Sequence, residues 1–192
     1  MKTLVVSLLT LVSGLGIGFT AQDKSQDKAQ DKKAAAPAMP GMPQAGPEHK
    51  FLMSSCGEWD AAVHMGGAQT KGSMKTHALG DFFTIDDFEG TMMEMPFKGH
   101  GVNGYDPAKK QYFSVWCDSM MPSPSFFWGT LDEKTKTLTM TGEMMGEDGK
   151  PAKARNVTHW ADNDHMTFTM NMVGPDGKDA EMLKIEYARK KK

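Results

Sequence analysis

The chain has 192 residues, with 22 Lys and Arg against 24 Asp and Glu, and 39% of its residues are hydrophobic. This composition is typical of a globular protein and excludes a chain that is disordered throughout, while the near-neutral charge disfavours a general nucleic-acid binder. Two cysteines exclude a disulfide-stapled scaffold and a four-cysteine zinc site. No P-loop, HExxH, GxSxG or GxGxxG string occurs, so the sequence assigns no catalytic residue, resident metal or cofactor.

The first 21 residues have the pattern of a secretory signal peptide. Lys2 is followed by an apolar run from Leu4 to Phe19 that only small residues interrupt. We expect cleavage after Thr20 or Ala21 and export to the periplasm or out of the cell, with no stable membrane span left afterwards. An uncleaved anchor is the alternative, because the run approaches the length of a spanning helix.

Residues 22–47 are interpreted as a tether. Three consecutive QDK units precede a stretch rich in Pro, Ala, Met and Gly that has almost nothing to bury. Residues 48–192 remain as one domain, which is long enough to bury about two-thirds of its unfolded surface in a single core.

Apolar and polar residues alternate along most of this domain, which indicates half-buried β-strands. The clearest case is 165–172, where every even position is apolar. Gly, Asp, Asn or Pro bounds successive segments, and their spacing leaves no room for crossover helices. The pattern predicts an all-β fold, an antiparallel up-and-down barrel of ten strands after a short helix over 48–55. The predicted strands are 58–65, 70–79, 82–89, 97–105, 110–118, 125–131, 137–144, 152–160, 165–172 and 180–188.

Several motifs carry a family resemblance. Gly57-Glu58-Trp59 is similar to the G-x-W signature of lipocalins, which place an arginine of the last strand, here Arg189, across that tryptophan. The ordered motifs also resemble DUF1579, an uncharacterised bacterial family of exported lipocalin-like proteins. This resemblance implies a calycin-type barrel with a cavity for a small apolar ligand, and it implies no reaction. The further motifs that carry it are Gly99-His100-Gly101, Gly104-Tyr105-Asp106, Trp116-Cys117-Asp118-Ser119 and Tyr187-Ala188-Arg189.

Successive connections of an up-and-down meander alternate between its two ends. Counting the connections along the chain therefore assigns each one to an end of the barrel. One end has short polar turns and also holds the start of the first strand and the end of the last, where we expect Trp59 to pack against Arg189. The other end has mostly longer connections rich in Gly and Pro, and we expect the ligand mouth there. These connections are 66–69, 90–96, 119–124, 145–151 and 173–179.

Methionine is unusually common in the domain, with 15 Met against 5 Leu. Flexible, unbranched Met fills irregular cores, and we expect this role for Met140, Met166 and Met170. Three Met-Met pairs instead fall at the mouth, where they predict one exposed apolar rim. The predicted ligand-binding residues are Met92, Met93, Met120, Met121, Met144, Met145, His100, Trp116 and Asp118.

The last three of these residues have alternative interpretations. Glycines on both sides of His100 let another group approach it, but they are equally typical of a curved barrel strand. On strand 110–118, a polar row would orient a ligand if it faced inward, and the pattern does not decide between the two faces. The polar row is Tyr112, Ser114, Trp116 and Asp118, and the alternative inner row is Phe113, Val115 and Cys117.

We expect an exported protein that binds a small hydrophobic or amphipathic molecule through the Met-rich mouth. The alternatives are a soft-metal protein that binds copper through rim methionines with His64 or His100, an enzyme that works around Asp118 and His100, and a structural envelope module. Cys56 and Cys117 are expected at opposite ends of the barrel and therefore unpaired. The oligomeric state does not follow from the sequence.

Overall fold

Ten antiparallel β-strands close into a barrel in the computed structural model, which describes residues 41, 43–146 and 149–191. Each strand pairs with its neighbours in sequence, and β1 pairs with β10 to close the circle. The predicted fold class, strand number and short helix are confirmed, and strand ends differ from the prediction by at most three residues. The elements are α1 (Pro47–Ser54), β1 (Gly57–Met65), β2 (Ala68–Leu79), β3 (Phe83–Met92), β4 (Met95–Asp106), β5 (Gln111–Asp118), β6 (Ser125–Asp132), β7 (Thr137–Met145), β8 (Pro151–Trp160), β9 (His165–Val173) and β10 (Asp179–Arg189).

The predicted signal peptide at 1–21 and most of the predicted tether at 22–47 lie outside the described residues. Both assignments therefore stay predictions. Within the part of the chain that the structure describes, no helix is long and apolar enough to cross a membrane.

The pairing register directs every second side chain of each strand into the barrel. Trp59, Ala61 and Val63 of β1 lie on this inner face and are at most 4% exposed. Apolar side chains form two inner clusters, the first on β1 to β4, β9 and β10 and the second on α1 and β5 to β8. Each large apolar side chain that is fully buried in this way contributes about 1.5–3 kcal/mol.

Helix α1 covers the end of the barrel that has the tight turns. It begins with Pro47, which suits the first turn because an N–H there would have no partner within the helix. The Gly46 amide donates to His49 Nδ1 over 3.1 Å. Leu52 is buried in the second cluster, and the Phe51 ring lies 4.8 Å from the Trp160 ring. The helix thus closes this end, which is consistent with a mouth at the other end.

Trp59 and Arg189 meet at the closed end, as predicted. Trp59 is fully buried, and the Arg189 guanidinium carbon lies 4.0 Å from the centre of its ring. The guanidinium also donates hydrogen bonds to the backbone oxygens of Ser54, Cys56 and Asn163, over 2.7 to 2.9 Å. The Arg189 side chain therefore connects the helix, the start of β1 and the turn before β9 through hydrogen bonds.

Two of the five connections at the mouth are tighter than predicted. The loop predicted at 90–96 is the two-residue turn Met93-Glu94, because β3 and β4 stay paired out to their last residues. Gly66-Gly67 joins β1 and β2 in the same way. All four residues have positive φ, which two-residue hairpins favour and which only Gly adopts without cost. The mouth therefore has three longer loops, after β5, β7 and β9.

Candidate functional site

Not every inward-facing residue of the barrel is buried. The half-buried ones include five that lie in the middle of their strands: Asp86, Asn103, Ser114, Asn156 and Phe168. None of them lies within two residues of a strand end, so their accessible surface does not result from the open ends. We infer that part of this surface borders a space within the barrel.

A polar cluster lies on the wall of this space that β2, β3 and β4 form. The Thr76 hydroxyl donates to Asp86 Oδ1 over 2.6 Å, and Asn103 Nδ2 donates to Asp86 Oδ2 over 2.8 Å. Asn103 Nδ2 also lies 3.3 Å from the hydroxyl of Thr84. Burial raises the pKa of Asp86, although these two donated hydrogen bonds act in the opposite direction.

Two buried polar atoms on β8 have no hydrogen-bond partner among the described residues, namely Asn156 Oδ1 and Trp160 Nε1. A buried polar atom without a partner costs about 1–3 kcal/mol, so native proteins satisfy most of them. The strand order places β8 five strands from β3 in either direction, so Asn156 and Asp86 line opposite walls.

The polar row of β5 faces inward. The structure thus decides which face of this strand lines the interior, which the alternation left open. Trp116 pairs with Gly101, and a methyl group on Gly99 would lie only 2.1 Å from the Trp116 ring. The ring therefore occupies the space that these glycines leave. Trp116 Nε1 donates to Asp118 Oδ2 over 3.1 Å, and Asp118 Oδ1 accepts from the amides of the next loop. Asp118 thus fixes Trp116 and the start of the mouth loop.

His100 lies on the outer wall and not with the other predicted site residues. Its Nδ1 is 2.8 Å from Asp87 Oδ1, and His77 approaches the other oxygen of Asp87 at 3.7 Å. The glycines beside His100 make room for Trp116 on the inner face. His64 also points outward and lies 3.3 Å from Glu186 Oε2. The two histidines of the copper alternative are therefore separated from the interior.

The expectation of one exposed rim of six methionines is wrong, because members of a pair point in different directions. Met92 faces inward and is 7% exposed, whereas the adjacent Met93 is 62% exposed. Met120 packs against the first cluster, while Met121 is 40% exposed. Met144 packs against the second cluster. Met92 is the last residue of β3 and Met93 begins the turn, while Met120 and Met121 lie in the loop after β5. The backbone changes direction at these positions, so the six side chains do not form one exposed rim.

We expect peroxide to oxidise Met93 and Met121 well before their neighbours Met92 and Met120. Oxidation of a thioether requires access to its sulfur, and the exposed member of each pair meets the reagent first. Brief peroxide treatment followed by tandem mass spectrometry of peptides resolves adjacent methionines. The buried Met140 is the control that should react last. Equal rates at Met92 and Met93 would contradict the orientation of β3 at the mouth.

Both cysteines are free, as predicted. Cys56 precedes β1 at the closed end, whereas Cys117 is exposed near the mouth end of β5. Burial raises the pKa of the Cys56 thiol, and the charge of Asp86 raises it further. Across the described ranges, no three His, Cys, Asp or Glu side chains are grouped so that they could hold a metal ion.

Residues 44–189 match the family model described as "Protein of unknown function (DUF1579)". The chain belongs to this family. The resemblance found in the sequence is thereby confirmed for most of the chain. No match was found among curated protein sequences.

Several solved structures are similar to this DUF1579 member. Rv2717c from M. tuberculosis is 11% identical, covers 77% of this chain and 100% of its own, and has a TM-score of 0.55. The S-type phycobiliprotein lyase CPES from Guillardia theta is 14% identical over 75% of this chain and 93% of its own, with a TM-score of 0.48. The redesigned barrel mFAP1, bound to DFHBI, is 13% identical over 75% and 100%, with a TM-score of 0.39. At these identities the likeness to Rv2717c concerns the fold alone.

The polar cluster around Asp86 was not among the residues selected from the sequence. One signal was present, since Asp86 occupies the same phase of β3 as the buried Thr84 and Phe88. A carboxylate at a position that alternation assigns to the inner face is unusual, because burying its charge is costly. The adjacent Asp87 made this indication ambiguous, because the sequence does not show which of the two aspartates faces outward.

Proposed function

We propose that this DUF1579 member binds a small hydrophobic or amphipathic molecule inside the barrel. The observation that carries the proposal is the accessible surface of inward-facing residues far from both ends. Ligand sites are mostly apolar and have a few polar groups that orient the ligand. The interior has this composition, with two apolar clusters and the polar atoms of Asp86, Asn103 and Asn156.

The arrangement of the two barrel ends supports entry of the ligand through the mouth. Helix α1 covers the opposite end, whereas the three longer loops surround the mouth. Exposed Met93 and Met121 offer flexible apolar surface there, which suits the passage of an apolar molecule. We further propose that the protein acts after export, on the basis of the apolar run from Leu4 to Phe19.

Ser114→Phe is expected to weaken binding of Nile red, a neutral apolar dye, while the protein stays folded. Ser114 lies on the inner face between Asn103 and Phe127, so a phenyl ring there would fill the interior space. If that space is empty, the ring avoids the overpacking cost of about 1–3 kcal/mol that a filled core imposes. A fluorescence titration should show saturable, blue-shifted binding by the natural protein and an affinity at least about tenfold lower for the variant.

Val115→Phe is the matched control, because Val115 is the next residue and faces outward. It should leave the dye affinity unchanged. Circular dichroism and thermal unfolding should show that both variants fold. Absence of saturable dye binding by the natural protein would overturn the proposed function, and so would equal losses in the two variants.

A further inference from the structure

Asp86 is a carboxylate inside the barrel that has only neutral hydrogen-bond partners. Thr76 donates to one of its oxygens and Asn103 to the other. Each carboxylate oxygen accepts up to two hydrogen bonds, so each retains one position for a further donor. The side chain is half-buried, and its remaining accessible surface borders the interior space.

No described Lys, Arg or His side chain forms an ion pair with Asp86. The adjacent Asp87 shows the contrast, since His100 and His77 both approach it on the outer wall. Removing a carboxylate from water is costly unless a cation or several donors replace its hydration. Asp86 therefore lacks the positive charge that would best stabilise its ionised form in the interior.

An aromatic ring borders the same point. A methyl group on Gly101 would lie 3.2 Å from the Trp116 ring and 3.4 Å from Asp86 Cβ, so the ring and the carboxylate side chain border one position. The charge of Asp86 also contributes to the raised pKa of the buried Tyr187 phenol, after burial itself. Cations bind favourably over the faces of Trp and Tyr, especially where water is excluded.

The opposite wall contains a second polar residue. Asn156 Oδ1 is buried without a partner and lies on β8, across the barrel from β3. The interior thus combines a carboxylate with an aromatic ring beside it, and both groups favour a positively charged donor. Apolar side chains of the two clusters line the space on either side.

We propose that the ligand is an amphipathic amine, whose ammonium group binds Asp86 inside the barrel while its hydrocarbon part lies against the apolar clusters. This inference rests on the proposed binding function and specifies the chemical class of the ligand. The ammonium group supplies the missing positive charge and donates to the open positions of the carboxylate. A neutral or anionic amphiphile of the same length makes only the apolar contacts.

The test compares three probes that share one hydrocarbon chain: octylammonium, octanol and octanoate. Each probe displaces Nile red from the natural protein at pH 7, at concentrations below micelle formation. We expect octylammonium to displace the dye at a concentration at least about tenfold lower than octanol, and octanoate to be the weakest. Asp86→Asn should abolish this preference, because the amide keeps the shape and removes the charge.

Asp87→Asn is the matched control, since it removes the same charge one residue away on the outer wall, and it should keep the preference. Loss of the preference in this variant as well would overturn the inference in favour of a general surface attraction. Equal displacement by octylammonium and octanol from the natural protein would also overturn it, even if Asp86→Asn fails to fold. In that case Nile red binding still supports the proposed function, whereas absence of dye binding overturns both.

Discussion

Replacing Trp59 with alanine is expected to lower the free energy of unfolding by about 3–5 kcal/mol, the range for deleting a large buried aromatic side chain. Trp59 has no exposed surface, and its indole N–H donates to the Ser55 backbone oxygen over 3.0 Å. The variant also removes the ring beneath Arg189, whose guanidinium connects α1, β1 and the turn before β9. Urea denaturation followed by circular dichroism measures the loss.

Trp128→Ala is the control for this change of side chain. Trp128 lies on the outer wall, half-buried, with its ring 5.3 Å from Phe113 and Lys109 Nζ 3.6 Å above it. Its removal should cost about 1–2 kcal/mol, because only partial burial and ring contacts are lost. A stability for Trp59→Ala like that of the natural protein would show that the ends of the barrel are not coupled through this contact.

Leu52→Ala is expected to lower the free energy of unfolding by about 2–5 kcal/mol, the usual range for a buried leucine. Leu52 is the buried residue of α1 in the second apolar cluster, which also contains Tyr112 and Phe127. Its loss leaves a cavity where the helix meets the closed end. Equilibrium denaturation gives the magnitude, and limited proteolysis should show faster cleavage near α1 because the weakened helix detaches more often.

Lys50→Ala in the same helix provides the comparison, since Lys50 is exposed. Its effect should stay within about 0.5 kcal/mol, as for most surface substitutions. If Leu52→Ala changed the free energy of unfolding as little as Lys50→Ala, α1 would not be packed on the barrel. The assignment of this end as the closed one would then fail.

The strands were predictable because their signal is local. A two-residue alternation bounded by turn-forming residues identifies a half-buried strand without knowledge of its partners, and β9 is the clearest example. The order of the strands followed as well, since short connections leave an up-and-down meander as the simplest arrangement. The lengths of the alternating connections, in agreement with the lipocalin resemblance of the Trp59 and Arg189 positions, then separated the closed end from the mouth.

Turn tightness was less predictable than strand position. Met93 and Glu94 both adopt positive φ, which side chains disfavour and which no local preference of Met or Glu indicates. Pairing of β3 with β4 imposes this geometry by extending to Met92 and Met95. The segment 90–96 therefore forms most of a hairpin and not the long loop that its Gly and Pro suggested.

The amino-acid sequence by itself determined the number of strands, the closed barrel and its closed end, and the lipocalin resemblance of its motifs implied the contact of Trp59 with Arg189. Only the tertiary structure decided which of two adjacent polar residues faces inward, as with Asp86 inside and Asp87 and His100 outside. The physical reason is that both faces of such a strand contain polar residues, so alternation alone cannot orient it. Pairing with distant strands sets the register, and a shift by one residue would exchange every inner side chain with an outer one.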